Sequence, residues 1–265
     1  GLVVCKIMIS KSRIKYIKSL GLKKNRNNEN AFVAEGPKVV GDLLERMPAR
    51  MIVATTEWLK VNRHSCENTG SEIIEVSDEE LRKVSFLQHP QEVLAVFKKM
   101  ENHFITDDVG RNLALALDDV QDPGNLGTII RIADWFGITE VICSRGTADV
   151  YNPKVVQATM GCIARVNVLY TDLCEFIDSL PSDIPVYGTF LDGDSIYGQK
   201  LSGYGLIVMG NEGNGISQVL SEKISNRLLI PNYPPERAAT DSLNVAVATA
   251  IICSEFRRKQ LKFDL

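Results

Sequence analysis

The sequence predicts an α/β protein built in two parts. Apolar runs of strand length alternate with stretches of helical periodicity along most of the 265 residues. Turn and cap residues separate these runs. The alternation breaks once, in a polar and aperiodic segment that reads as a linker at 99–112 and leaves domains at 1–98 and 113–265. A chain of this length can bury two ordinary cores.

In the first part, Ile14, Ile17 and Leu20 recur at helical spacing with lysines between them, which predicts a basic amphipathic helix from Ser10 to about Gly21. Lys23 to Asn30 reads as a polar loop. Ala31 to Ala34 is a short strand, and Glu35-Gly36-Pro37 turns the chain into a helix carrying Val39, Val40, Leu43 and Leu44. Met51 to Ala54 is a strand, Glu57 to Val61 starts a helix, and Ile73-Ile74 is a strand. Ser77-Asp78-Glu79-Glu80 opens a capped helix with acids in its first turn. Val93 to Phe97 closes the domain as an apolar strand.

In the second part, strands are expected at Leu113 to Asp118, Glu140 to Cys143, Pro185 to Phe190, Gly205 to Met209 and Arg227 to Ile230. Helices are expected at Leu126 to Trp135, Pro153 to Met160, Leu173 to Leu180 and Ser217 to Ile224. A last helix, Ser242 to about Lys259, is apolar almost all round and must be buried on several sides, with Ser242 as its N-cap.

Composition narrows the function. No apolar run approaches the roughly 18 residues a membrane span needs, and Gly1-Leu2-Val3-Val4-Cys5-Lys6 lacks the layout of a cleavable signal, so the expected compartment is the cytoplasm. Cys5, Cys66, Cys143, Cys162, Cys174 and Cys253 lie far apart without a C-x-x-C pair and read as small buried apolar residues. His64, His89 and His103 have no second ligand at metal-binding spacing and read as surface or loop residues, so no metal is expected. The net charge of −3 hides an asymmetry. Residues 1–30 hold Lys6, Lys11, Arg13, Lys15, Lys18, Lys23, Lys24 and Arg26 against the single acid Glu29. That density fits a phosphate backbone, and a solvated terminus is the plain alternative.

Three segments carry the chemistry. Asn125-Leu126-Gly127-Thr128-Ile129-Ile130-Arg131 puts a carboxamide and a guanidinium at the mouth of a helix that follows a strand, where α/β proteins bind ligands. Gly210-Asn211-Glu212-Gly213-Asn214-Gly215 follows another strand. Its order of glycines is not that of a dinucleotide fingerprint, and its acid would repel a pyrophosphate; a ligand with a positive centre suits it better. Ser242-Leu243-Asn244-Val245 opens the last helix, and a carboxamide beside so apolar a helix needs partners if buried.

In this order, Asn125-x-Gly127-x-x-x-Arg131, Gly210-x-Glu212-x-x-Gly215 and Ser242-Leu243-Asn244-Val245 resemble the three motifs of the SpoU/TrmH-type RNA 2'-O-ribose methyltransferases of the SPOUT superfamily. Segments 10–15, 32–36 and 93–96 resemble that family's small ribosomal-protein-like substrate-binding domain. The resemblance implies a C-terminal SPOUT-type α/β domain with a trefoil knot, a homodimer, and S-adenosylmethionine held by Thr189, Phe190, Leu191, Gly210, Asn211, Glu212, Gly215, Leu229, Ile230, Ser242 and Leu243. It implies Arg131 as the catalytic guanidinium, Asn125 orienting it or the ribose, Glu212 positioning the arginine and the loop, and Ser242 and Asn244 completing the site. Lys11, Arg13, Lys15, Lys18, Lys23, Lys24 and Arg26 would bind RNA, ribosomal rather than transfer RNA. The segment from Pro231 to Asp241 is longer than the family's usual loop, which leaves the shape of the cofactor pocket open. A transfer RNA methyltransferase, an RNA-binding module of the same fold without methyl transfer, and a base methyltransferase of the same superfamily are the alternatives. The pairing of Asn125 with Arg131 favours ribose chemistry over base chemistry.

Overall fold

The computed structural model describes residues 8–67, 70–101, 109–234 and 242–261. Cys5, Lys6, His103, the linker at 102–108 and the loop at 235–241 lie outside the described residues, as does the side chain of His64. His89 is exposed, as expected.

The described residues form two compact units, the first comprising 1–101 and 149–164, the second 102–148 and 165–265. In chain order the first unit runs α1 Lys11–Ser19, α2 Lys23–Glu29, β1 Ala31–Glu35, α3 Pro37–Leu44, β2 Ala49–Ala54, α4 Thr56–Glu67, β3 Glu72–Glu75, α5 Asp78–Val84 and β4 Val93–Lys98. Its four strands are ordered β1-β4-β2-β3, with β4 antiparallel to both neighbours and β3 parallel to β2. Ser10 caps α1, and the reciprocal capping box of Ser77 and Glu80 starts α5. Ile17 and Leu20 of the α1 region pack with Val33, Val53, Leu81 and Leu94 in one core. Glu35, at the end of β1, is buried and accepts the Ser85 hydroxyl and the Phe86 N–H (2.7 Å), so its charge is bonded although burial raises its pKa.

Residues 23–30, expected as a loop, are α2 followed by Asn30 in the left-handed conformation (φ 46°). The helix shows no apolar periodicity because the one residue it buries is Arg26. That guanidinium donates to Asp149 through Nε (3.1 Å) and Nη2 (2.6 Å), and through Nη1 to the carbonyls of Leu20 (2.9 Å) and Gly21 (2.8 Å). Asp149 opens the segment 149–164, which lies past the expected linker in sequence yet packs within this unit. Its Tyr151 ring sits 4.8 Å from that of Phe32 on β1, with Lys99 over it at 5.2 Å.

The second unit begins β5 Leu113–Leu117, α6 Pro123–Trp135, β6 Glu140–Cys143. The chain then passes through α7 Pro153–Ala158, in the 149–164 segment, and returns as β7 Asn167–Tyr170, α8 Leu173–Ser179, β8 Val186–Ser195, β9 Gly205–Met209, α9 Gln218–Ser221, β10 Asn226–Leu229 and α10 Val245–Gln260. The strands form one six-stranded sheet, all parallel, in the order β10-β8-β9-β5-β6-β7. Every residue of β5 and β9 is buried, as expected for central parallel strands covered on both faces. β7, four residues at the sheet edge, is too short and too mixed in polarity to stand out in the sequence. The expected helix at 217–224 is only the four residues of α9. Two starts also differ from expectation. α6 begins at Pro123, so the turn residues Asp122-Pro123 are its N-cap and first residue; α10 is capped by Asn244, not Ser242.

Arg26→Ala is expected to remove the buried half of this ion pair, leave the part-buried Asp149 carboxylate without it and lower the unfolding free energy by about 3 kcal/mol, read from urea or guanidinium titration.

Candidate active site

Parallel strands bring their C-terminal ends to one edge of the sheet, and there the three sequence motifs meet. β5 ends in two acids. Asp118 is buried and accepts the Ser217 N–H at 2.7 Å, which seats the chain entering α9. Asp119 has φ 55°; its N–H donates to Ser144 Oγ (2.9 Å), its carboxylate accepts that hydroxyl (2.5 Å), and its carbonyl accepts Asn211 Nδ2 (2.7 Å). Asp122 then accepts the Asn125 N–H at 2.7 Å as the cap of α6.

β9 ends at Met209, and the loop after it is closed by reciprocal backbone bonds between Asn211 and Gly215, 2.9 Å each. Asn211 Oδ1 accepts the N–H groups of Gly213 (2.8 Å) and Asn214 (3.1 Å). Gly210 is required by this closure, because a methyl group there would overlap Gly215 C and Ile216 N.

The fold of the loop delivers Glu212 to the start of α6. Its Oε1 accepts Asn125 Nδ2 at 3.1 Å and the Asp122 N–H at 3.4 Å, and its Oε2 accepts the Gln121 N–H at 3.5 Å. Asn125 Oδ1 in turn accepts Asn244 Nδ2 at 3.0 Å, while Asn244 Oδ1 caps α10 through Ala246 N (2.9 Å) and Val247 N (3.2 Å). The bonds run in one direction, Asn244 to Asn125 to Glu212, and this fixes which way both carboxamides point.

Arg131 lies on the same helix as Asn125, exposed, and has no hydrogen-bond or ion-pair partner among the described residues. Glu212 therefore holds Asn125 and the backbone of the α6 start, where the sequence reading had it positioning the arginine. Ser242 and Leu243 are exposed just before α10, and Leu229 and Ile230 are half-buried at the end of β10. Thr189, Phe190 and Leu191 occupy a break in register: Gly188 pairs with Arg227 and Asp194 with Leu228, so residues 189–193 face a single step of β10. The structure thus joins Asn125, Glu212 and Asn244 in one chain of hydrogen bonds, while Asn211 closes its own loop and ties it to the Asp119 carbonyl.

Asp118 and Asp119 escaped the sequence reading, although two consecutive acids closing an apolar strand are a visible signal. Of the expected RNA-binding cations, Lys11, Lys15, Lys18, Lys23 and Lys24 are exposed. Arg13 is paired with Glu72 at 2.7 Å, and Lys18 donates to the Ser85 carbonyl and covers the Phe86 ring at 4.7 Å. Arg26 is 2% exposed and fully bonded, so it cannot serve as a surface cation.

Residues 112–254 match the model of the SpoU rRNA Methylase family, and residues 11–95 that of the MRM3-like substrate binding domain. The chain is 33% identical over 248 residues to the 23S rRNA (guanosine(2553)-2'-O)-methyltransferase RlmP of Bacillus subtilis, covering 92% of this chain and 96% of the relative. A solved structure of a TrmH-family protein from Porphyromonas gingivalis shares 40% identity at a TM-score of 0.84, covering 96% of this chain and all (100%) of the other. The AdoMet-bound rRNA methyltransferase from Sinorhizobium meliloti shares 29% identity at a TM-score of 0.84, covering 96% and 97%. A parallel α/β sheet in the unit that carries the family match marks the chain as an RNA methylase of the SpoU class. The chain belongs to the SpoU rRNA Methylase family, and it carries an MRM3-like substrate binding domain ahead of the methylase domain.

Gly210→Ala is expected to open the Asn211–Gly215 closure and cost about 1–3 kcal/mol of stability, measured as a lowered urea midpoint at unchanged m.

Proposed function

We propose that the protein methylates a ribose 2'-hydroxyl of structured RNA, ribosomal RNA in preference to transfer RNA, with S-adenosylmethionine as methyl donor. The observation that carries the reading is Arg131: an exposed guanidinium, without a partner among the described residues, on the helix whose start is locked by the Glu212–Asn125–Asn244 chain. The MRM3-like match and the names of the relatives support ribosomal RNA.

The lining of the sheet edge suits the donor. Thr189, Phe190, Leu191, Gly210, Asn211, Gly215, Leu229, Ile230, Ser242 and Leu243 offer backbone groups and neutral side chains, and the only charge among the expected contacts is the carboxylate of Glu212. Such a set accepts an adenine ring and a cationic sulfonium and lacks the cations a pyrophosphate would require. S-adenosylmethionine would supply an electrophilic methyl group to the hydroxyl oxygen.

Arg131 holds the RNA phosphate next to the target ribose and stabilises the alkoxide that develops on the 2'-oxygen. A guanidinium is too weak an acid to serve as the base, so the hydroxyl proton leaves to a phosphate oxygen or to water. Asn125, pinned by Glu212 on one side and Asn244 on the other, sets the position of the α6 start, and much of the rate then comes from alignment. Lys11, Lys15, Lys23 and Lys24 contact RNA phosphates without reading sequence.

Three finer features belong to the same reading. A homodimer through α6 and α10 is supported by Trp135, 83% exposed at the end of α6, and by Val247, Ala250, Ile251 and Ser254 along one face of α10 that the chain itself does not bury. A trefoil knot is supported by the path of the chain, from edge strand β10 back to α10 packed on α6 beside the central strand β5. A cytoplasmic site is supported by the unbridged thiols of Cys143, Cys174 and Cys253.

Incubating the protein with methyl-labelled S-adenosylmethionine and separate unmodified ribosomal and transfer RNA pools should label the ribosomal pool. Label in transfer RNA alone would reverse the substrate assignment, and label in neither would overturn methyl transfer. Arg131→Ala should bind S-adenosylmethionine as before in calorimetry and lose about 100- to 1,000-fold in transfer rate. Val247→Glu should convert a dimer to a monomer in light scattering after gel filtration; a wild-type monomer would refute the assembly.

A further inference from the structure

The register break on β8 has its own brace. Arg227 on β10 places its guanidinium carbon 3.5 Å from the centre of the Phe190 ring. Its Nη2 donates to Asp192 Oδ1 at 2.6 Å and its Nη1 to Ser221 Oγ, at the end of α9, at 3.0 Å. One side chain thus grips the bulge at residues 190 and 192 and ties it to a helix outside the strand pair.

Two glycines let the bulge form. At Gly188 a methyl group would come within 2.7 Å of Ile224 Cδ1, 2.9 Å of Phe190 Cε2 and 3.0 Å of Ile216 Cδ1, so the Phe190 ring uses the space that a side chain would fill. At Gly193 a methyl group would lie 2.7 Å from the Leu228 carbonyl carbon, so the chain rejoins β10 there only without a side chain. Between these points, side chains alternate along an extended strand. Phe190 and Asp192 turn to Arg227, and Thr189 and Leu191 turn away from it. Leu191 is 76% exposed, an apolar side chain held out at the sheet edge with no apolar cover.

We propose that Arg227 is a positioning residue for the cofactor: its guanidinium, stacked on Phe190 and bonded to Asp192, fixes the bulge that presents Thr189 and Leu191 to the adenosyl part of S-adenosylmethionine. The proposal rests on the methyl-transfer reading above. The Asp192 carboxylate is held below its ordinary pKa chiefly by the Arg227 hydrogen bond, which agrees with the pairing. Asp192 is too exposed for that ion pair alone to stiffen the segment. The restraint comes from the planar stack and the two-ended hydrogen bonding together, a geometry that lysine cannot reproduce.

The test uses the full-length chain with Arg227→Ala and Arg227→Lys. Calorimetric Kd and steady-state KM for S-adenosylmethionine should both rise about tenfold in Arg227→Ala, with kcat at saturation changing less than KM. Arg227→Lys, which keeps a charge near Asp192 but loses the stack, should fall between alanine and wild type while unfolding at the wild-type temperature. If the alanine variant does not fold, the lysine variant alone decides the matter. Wild-type Kd and KM in the folded variants would overturn the positioning role and leave the methyl-transfer reading intact. Absence of binding by the wild-type protein would overturn that reading and this role with it.

Discussion

The carboxamide of Asn125 is the constraint on which the site depends. It donates one N–H to Glu212 and accepts one from Asn244, joining segments that lie 87 and 119 residues away in the chain. Each partner has a second duty that fixes its own orientation: Glu212 accepts backbone N–H groups at the start of α6, and Asn244 caps α10. An amide flipped at either asparagine would set donor against donor or acceptor against acceptor, so the arrangement has one low-energy sense. The strands supply the coarse placement and this chain of bonds supplies the last ångström. Arg131 is left free of it, which suits a side chain meant for a ligand.

The fold class and most elements were legible because periodicity reports burial. The all-buried strands β5 and β9, the amphipathic α1 and the capped α5 each bury the side chains their pattern marks. Legibility failed where burial did not follow hydrophobicity. α2 buries an arginine, so no apolar period announces it; β7 is short and at an edge; and at α10 the cap falls to Asn244, whose Oδ1 serves two N–H groups. The three site motifs were found by their residues, but the bonds among them could not be, since spacing in sequence does not say which acceptor a given carboxamide meets. Glu212, for instance, bonds Asn125 and the start of the helix that carries Arg131, and no spacing in the sequence marks that contact.

Charge in the N-terminal region divides in the same way. Seen as a count, eight cations face one acid; seen in the fold, they have different occupations. Lys11, Lys15, Lys23 and Lys24 stand at the surface for phosphate; Lys18, also exposed, binds the turn after α5, Arg13 pairs with Glu72 of β3, and Arg26 is buried against the 149 segment. A basic segment can therefore be both a binding surface and part of the core's framework, and only burial and partners separate the roles.

The interleaved composition of the first unit bears on how the protein is made. Its α2 carries the buried guanidinium of Arg26, and the carboxylate that neutralises it, Asp149, is encoded after β5, α6 and β6. During synthesis the N-terminal sheet leaves the ribosome well before Asp149 does, with an interior cation still unmatched and the Phe32 ring still without Tyr151. The unit that comes first in the sequence is therefore finished late, and its completion waits on strands that belong to the other unit.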